Sequence, residues 1–285
     1  MTSARVLLKA WGLDAKKQLG QHFLCDAGTA EKIIDAAGIA DEDTVLEIGA
    51  GLGALTVPAA RRARRVVAVD LDPELLRLLR TELLAAGLDN VELVRQNILR
   101  FDIAALGREA PRRLVVIGNL PYNISSQVLV QLIRTRDAVD HAVLMFQKEL
   151  ARRISAGPGS KAYGRLSVML AYCADIRSVA TVGARLFFPR PKVDSEVLEI
   201  TFRRRSDAGS EAEAFFFATV KAAFGRRRKT LKNALAGSAL PLTPAQAGQA
   251  LTAAGIDPGR RAETLTVAEF EALSRALSAI TPPPP

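Results

Sequence analysis

Five short runs of apolar and β-branched residues alternate with stretches of helical spacing through residues 27–146. The runs are Thr44–Ile48, Val66–Val69, Val91–Val94, Leu114–Ile117 and Ala142–Phe146. Their length and composition read as buried strands. Ala27–Ala37, ahead of the first run, places Ala30, Ile33, Ile34 and Ala37 on one helical face. A second helix is expected over Leu55–Ala63. In a third, Pro73 suits the first turn and Leu75, Leu76, Leu79 and Leu83 follow on one side. A further helix, capped by Ser125 or Ser126, carries Val128, Leu129, Leu132 and Ile133. Strands that alternate with helices need crossover connections. The pattern therefore predicts a parallel α/β sheet with helices on both faces.

The alternation stops after Phe146. Gln147–Glu149 opens a helix, Gly157–Ser160 reads as a loop, and Leu166–Ala174 as another helix. Ile176–Val182 and Glu196–Phe202 read as two further strands, a candidate hairpin at the sheet edge. Arg203–Ser210 breaks the pattern. Beyond it only helical spacing remains, over Ala212–Ala223, Lys229–Leu235, Pro244–Ala253 and Val267–Ile280, ending in the tail Thr281–Pro285. Two domains are expected, 1–205 and 206–285, the second all helical.

The 285 residues carry 39 Lys and Arg against 30 Asp and Glu, a net charge of +9. That balance favours a polyanionic partner. Two cysteines, Cys25 and Cys173, and two histidines, His22 and His141, offer no metal-ligand spacing and no disulfide framework. No apolar run reaches the length of a membrane span, and the N-terminus has no signal-peptide core. A cytosolic protein without metal is expected.

Two stretches carry chemistry. In the first, Glu47-x-Gly49-x-Gly51-x-Gly53 follows a strand, and Asp70 ends the next strand. Glycines let a backbone approach a ligand, and an acid about 20 residues on suits the two hydroxyls of a ribose. The spacing departs from G-x-G-x-x-G and looks more like the S-adenosylmethionine loop of class I methyltransferases. Asn97, after the third strand, either accepts from the adenine amino group of such a cofactor or caps the strand end. In the second stretch, Gly118-Asn119-Leu120-Pro121-Tyr122-Asn123 leaves the fourth strand. Pro121 fixes its own φ and holds Leu120 out of the helical region. The Asn119 side-chain oxygen and a carbonyl of this stiff turn are both acceptors. Together they suit both hydrogens of an exocyclic amine, with Tyr122 stacked on the base. A basic cluster, Ala222–Asn233, supplies Arg226, Arg227, Arg228, Lys229 and Lys232 near a helix start, where they suit phosphates.

These stretches, in this order, resemble the bacterial 16S ribosomal RNA adenine N6,N6-dimethyltransferase family. The matching pieces are GQHFL at 20–24, EIGAGLGALT at 47–56, GNLPYNISS at 118–126, FQKE at 146–149, FFPRPKVDS at 187–195 and AFGRRRKTLKNAL at 223–235. The resemblance implies a Rossmann-like class I methyltransferase fold. Its sheet would be mostly parallel and seven-stranded, with a small C-terminal all-α domain alongside. It also implies S-adenosylmethionine as donor and two adjacent adenosines of the 3′-terminal hairpin loop of 16S RNA as targets, within the immature small subunit. By the same resemblance His22, Leu24, Gly49, Asp70, Asn97 and Asn119 contact the cofactor, with Gln21 and Gly51 close by. Asn119 and the Leu120 carbonyl hold the amine on the Pro121 turn, and Tyr122 and Phe187 sandwich the base. Asp70 and Asn97 stand where the family commonly has Glu and Asp. A monomer is expected. Two alternatives remain open: a 23S adenine methyltransferase that confers antibiotic resistance, and a small-subunit assembly factor whose methylation is secondary.

Overall fold

The computed structural model describes residues 4–204, 210–226 and 228–281. The chain divides into two compact units, residues 1–151 with 175–203, and residues 152–174 with 204–285. The expected boundary at 205/206 lies outside the described residues, beside the observed division at 203/204. Residues 152–174 were expected in the first domain and belong to the second unit. The reason is aromatic: Tyr172 stacks on Phe216 at 4.2 Å, and the buried Tyr163 hydroxyl donates to the Leu265 carbonyl at 3.0 Å.

The strands are β1 (Phe23–Leu24), β2 (Thr44–Ile48), β3 (Arg65–Asp70), β4 (Val91–Arg95), β5 (Leu114–Asn119), β6 (Val139–Gln147), β7 (Ala174–Val182), β8 (Phe187–Phe188) and β9 (Ser195–Phe202), and all but Ala174 of β7 lie in the first unit. Seven of them form one sheet in the order β4-β3-β2-β5-β6-β9-β7. β2, β3, β4, β5 and β6 run parallel, and β9 is antiparallel to β6. All five predicted parallel strands are present, and the two later ones lie together at the edge, with β9 innermost. A separate two-stranded ladder pairs β1 with β8, Leu24 opposite Phe187 and Phe23 opposite Phe188. It was not expected, because two-residue strands have no periodicity to read.

The central strands are buried up to Asn119 at the end of β5, as their near-continuous apolar runs require in a sheet covered on both faces. Helices begin where side chains satisfy free amides: Asp26 accepts from Thr29 N at 2.7 Å and Asp72 from Glu74 N at 3.1 Å. The helix Ser125–Arg134 departs from expectation. Its N-cap is Ile124, and the Ser125 hydroxyl instead donates to the Pro121 carbonyl at 2.8 Å, closing the turn. A short helix, Ala4–Ala10, was also missed; its Leu7 and Leu8 cluster with Leu75 and Leu78.

The second unit is helical, with Arg165–Cys173, Ser210–Phe224, Leu231–Ala236, Pro244–Ala253 and Val267–Ser278 around a core that includes Phe215, Phe216, Leu235, Leu251, Phe270 and Leu273. Capping boxes start the last two: Thr243 with Gln246, and Thr266 with Glu269. All but one residue of the expected tail, residues 282–285, lies outside the described residues.

The chain winds from β2 outward to β4, then crosses back to β5 on the other side of β2. A crevice opens at such a reversal, beyond the carboxyl ends of the strands. Gly118 keeps β5 tight against β2 there. A Cβ at Gly118 would lie 2.6 Å from the Ile48 carbonyl oxygen. Gly118→Ala is therefore expected to lower stability by about 1–3 kcal/mol, the scale of core overpacking. Urea denaturation checks this, and a variant as stable as wild type would contradict so close an approach.

Candidate active site at the strand reversal

A cleft enclosing about 930 Å³ of space, partly open to solvent, occupies that crevice. Ten of the residues singled out in the sequence line it: Gln21, His22, Gly49, Gly51, Asp70, Asn97, Asn119, Leu120, Pro121 and Tyr122. Leu24 and Phe187 do not. Both are buried in the core, facing each other across the β1–β8 ladder. The inward position in a two-residue strand takes Phe187 and leaves Phe188 half-buried. The ring found on Tyr122 is instead that of His22, with centroids 5.4 Å apart and planes 28° from parallel.

The glycine loop leaves β2 with φ of +80° at Gly49, +53° at Gly51 and +85° at Gly53, a region that L side chains rarely adopt. Gly49 also faces the Asn119 carbonyl, which a Cβ would approach to 3.5 Å. Asp70, at the end of β3, holds this loop: its Oδ2 accepts from Gly51 N and its Oδ1 from Asp72 N, each at 2.9 Å. Each oxygen keeps a lone pair for a further donor. Burial pushes the Asp70 carboxyl pKa upward, and the charge of Asp72 adds to the rise. Asn97 Oδ1 accepts from Leu99 N at 3.0 Å, so Asn97 caps the following turn while lining the cleft.

The N-terminal segment is fastened over this end of the sheet. Gln21 Nε2 donates to Asp72 Oδ2 at 3.1 Å, Gln21 Oε1 accepts from Lys16 N at 2.8 Å, and Lys16 Nζ lies 2.9 Å from Asp72. Sequence reasoning did not single out Lys16 or Asp72 as site residues. The Asp72-Pro73 pair was the available signal, since it marks a helix start beside the Asp70 strand end.

At the β5 end, Asn119 Nδ2 donates to the His22 backbone carbonyl at 2.8 Å. A carbonyl only accepts, so this bond assigns the amide orientation and leaves Asn119 Oδ1 as a free acceptor. The Leu120 carbonyl has no backbone donor among the described residues. His22 Nδ1–H donates to the Pro189 carbonyl at 2.7 Å, which places the ring proton on Nδ1 in the neutral form. Tyr122 is half-buried, its hydroxyl 3.5 Å from Ser195 Oγ; burial raises its pKa.

The basic cluster lies in the second unit. Arg226, Arg228, Lys229 and Lys232 are exposed, and Arg227 lies outside the described residues. The Arg226 guanidinium sits against Gly237 at the end of the helix Leu231–Ala236. The Lys232 stem lies along Gly248. Among the described residues no group of His, Cys, Asp and Glu could hold a metal ion, and no helix is long and apolar enough to cross a membrane.

Glu47, near the end of β2, is fully buried, and the buried Thr56 hydroxyl is the one group that favours its charged form against the cost of burial. Burial raises the Glu47 pKa from 4.5 to about 8, and the charge of Asp70 adds to the rise. A carboxyl with a raised folded pKa binds its proton more tightly in the fold. Its stabilisation is therefore full below about 4.5 and is lost as pH climbs through about 8. Unfolding free energy is expected to fall across that window by up to about 1.4 kcal/mol per pH unit. Glu47→Gln should flatten the profile. Matching profiles for variant and wild type, measured by urea denaturation, would mean that Glu47 is ionised in the folded protein.

The comparisons with known proteins agree with this geometry. The family model for ribosomal RNA adenine dimethylase matches residues 12–278. The chain is 50% identical over 277 residues to a ribosomal RNA small subunit methyltransferase A of Desulforapulum autotrophicum, covering 97% of each chain. It is 45% identical over 284 residues to one from Anaeromyxobacter sp., covering 96% of this chain and 98% of the other. Among solved structures, a dimethyladenosine transferase from Plasmodium falciparum aligns with a TM-score of 0.72 at 28% identity, over 88% of this chain and 95% of that one. The 23S rRNA methyltransferase ErmE aligns with a TM-score of 0.67 at 27% identity, over 90% and 99%. With the glycine loop, the buried strand-end acid and the Asn-Leu-Pro-Tyr turn all on one cleft, and the match running almost end to end, this chain belongs to the ribosomal RNA adenine dimethylase family.

Proposed function

We propose that this chain carries out the family's reaction, S-adenosylmethionine-dependent dimethylation of ribosomal RNA adenine, on N6 of two adjacent adenosines in the 3′-terminal hairpin loop of 16S RNA. The substrate is the immature small subunit, and the enzyme acts as a cytoplasmic monomer. The observation that carries the reading is the orientation of Asn119, whose Nδ2 donates to the His22 carbonyl and so leaves Oδ1 as the acceptor of a cleft-lining residue.

The cleft suits the donor on its own chemistry. Asp70 holds two lone pairs at the strand end for a ribose, and the positive φ at Gly49 and Gly51 lets the loop backbone line the cleft. Asp70, Gly49, Gly51, Gln21, His22 and Asn97 would hold S-adenosylmethionine, which supplies an electrophilic methyl group. The rest is positioning. Asn119 Oδ1 and the Leu120 carbonyl accept the two hydrogens of the target amine, which turns its lone pair away from the ring. The same acceptors stabilise the ammonium as it develops. Pro121 stiffens the turn, and Tyr122 presents a face for the base. The His22 ring lies beside Tyr122 in the same cleft, with centroids 5.4 Å apart. An adenosine from an unpaired loop reaches such a pocket with the least unstacking. Arg226, Arg227, Arg228, Lys229 and Lys232 supply contacts to phosphates.

The 23S reading draws on one observation, the 27% identity to ErmE. The 50% identity to a protein named for the small subunit favours 16S RNA. Incubation with labelled S-adenosylmethionine and immature small subunits, 16S RNA or 23S RNA, followed by nucleoside mass spectrometry, decides. N6,N6-dimethyladenosine in the 16S 3′ hairpin is expected. Label confined to 23S RNA would select the second reading, and tight subunit binding without transfer would select an assembly factor. For the donor site, Asp70→Ala should weaken S-adenosylmethionine binding by about 1.5–3 kcal/mol, the scale of hydrogen bonds to a charged group. Calorimetry giving wild-type affinity in a folded variant would remove Asp70 from the ribose.

A further inference from the structure

A second concave surface lies at the outer edge of the same sheet. It is lined by Pro73, Leu76, Arg77, Arg80, Leu93 and Arg95, and the three arginines come from two elements. Arg77 and Arg80 stand three apart on the helix Pro73–Ala85, so they share a face. Arg95 ends β4, on the same side of the strand as Leu93 by the two-residue alternation. All three are exposed, and among the described residues none is in an ion pair.

Several other arginines on this unit are neutralised by carboxylates. Arg62 pairs with Glu31 and Asp35, Arg65 with Glu92 and Glu109, Arg113 with Asp140, Arg177 with Glu199, and Arg203 with Asp175. Two carboxylates near the three arginines in sequence are already engaged. Glu74 is held by Lys16, and Glu92 is held by Arg65 on the opposite side of β4 from Arg95. Arg77 and Arg80 thus form a like-charge pair one turn apart, which costs the helix a few tenths of a kcal/mol. Three unneutralised guanidinium groups over an apolar floor of Leu76 and Leu93 make an anion receptor, and planar forks suit phosphate oxygens.

Position supplies the partner. Arg95 lies opposite Asp70 in the β3–β4 register, and the next two residues, Gln96 and Asn97, line the cleft. The surface therefore sits at the carboxyl edge of the sheet, as the cleft does. In the order β4-β3-β2-β5 it is three strand spacings from the Asn119 turn, roughly 15 Å. A few nucleotides of RNA cover that span. We propose that Arg77, Arg80 and Arg95 form a phosphate-binding surface that grips the RNA backbone flanking the target adenosine. The inference rests on the RNA substrate of the proposed function and adds a contact surface on the methyltransferase unit itself.

The test is a salt titration of binding to immature small subunits, with Arg77→Gln, Arg80→Gln and Arg95→Gln combined. Each phosphate contact contributes about 0.7–0.9 to the slope of log affinity against log salt. The triple variant should lose about 2 from the wild-type slope, keep wild-type affinity for S-adenosylmethionine, and regain slope when the three positions are Lys. A control removes the same charge from paired positions, Arg62→Gln, Arg65→Gln and Arg177→Gln, and should keep the wild-type slope. An unchanged slope in the first triple variant, or an equal drop in both, overturns the proposal, the second outcome marking a net-charge effect. A wild-type protein that neither binds nor methylates small-subunit RNA would instead remove the proposed function, so the two failures are distinguishable.

Discussion

The site depends on one hydrogen bond, from Asn119 Nδ2 to the His22 carbonyl. Its net contribution to stability is about 1 kcal/mol, so its value lies in direction. Without it a terminal amide rotates, and donor and acceptor ends are equally available to the cleft. With it, the acceptor is the end left over. Both partners are held in turn. Asn119 ends a buried strand that Gly118 lets lie against Ile48, and the turn beyond closes through the Ser125–Pro121 bond. His22 is held by the Pro189 carbonyl through its ring, and its segment by Gln21 and Lys16 on Asp72. Three stretches distant in sequence therefore agree on the orientation of one amide.

The electrostatics follow the same economy. Burial raises the pKa of Glu47 near the end of β2, and Asp70 turns its two oxygens toward two backbone amides at the end of β3. In the proposed reaction the neutral acceptors at Asn119 and Leu120 meet the amine. A neutral acceptor stabilises a developing cation without removing its proton beforehand, and the reaction needs no strong base, since the nitrogen loses its proton readily once cationic. Preorganised dipoles of this kind act without reorganising as charge moves.

The parallel sheet was legible because each strand is a continuous apolar run and each helix repeats at 3.6 residues. The glycine loop, Asp70 and the Asn119–Tyr122 turn were legible because their residue types restrict the backbone or carry acceptors. Phe187 was placed on the base by resemblance, whereas the structure buries it against Leu24. That pairing joins two-residue strands with no periodic signal, and the accompanying His22–Pro189 contact spans 167 residues. The membership of residues 152–174 in the second unit escaped notice for a related reason: Tyr163 and Tyr172 look like ordinary helix and loop aromatics until their partners, Leu265 and Phe216, are known. The unpaired arginines 77, 80 and 95 could not be told from paired ones in a chain with 39 basic residues.

The central claim is that the Asn119 oxygen acts on the target amine in the transition state and contributes little to holding RNA. The most direct measurement is single-turnover methyl transfer to immature small subunits by Asn119→Ala, alongside subunit binding by the same variant. Losing one positioned polar group in a transition state typically costs on the order of 10²–10³ in rate. The account predicts a loss of that size with subunit affinity near wild type, because phosphate contacts supply most of the binding. Methylation at the wild-type rate, or rate and affinity falling together, would contradict it.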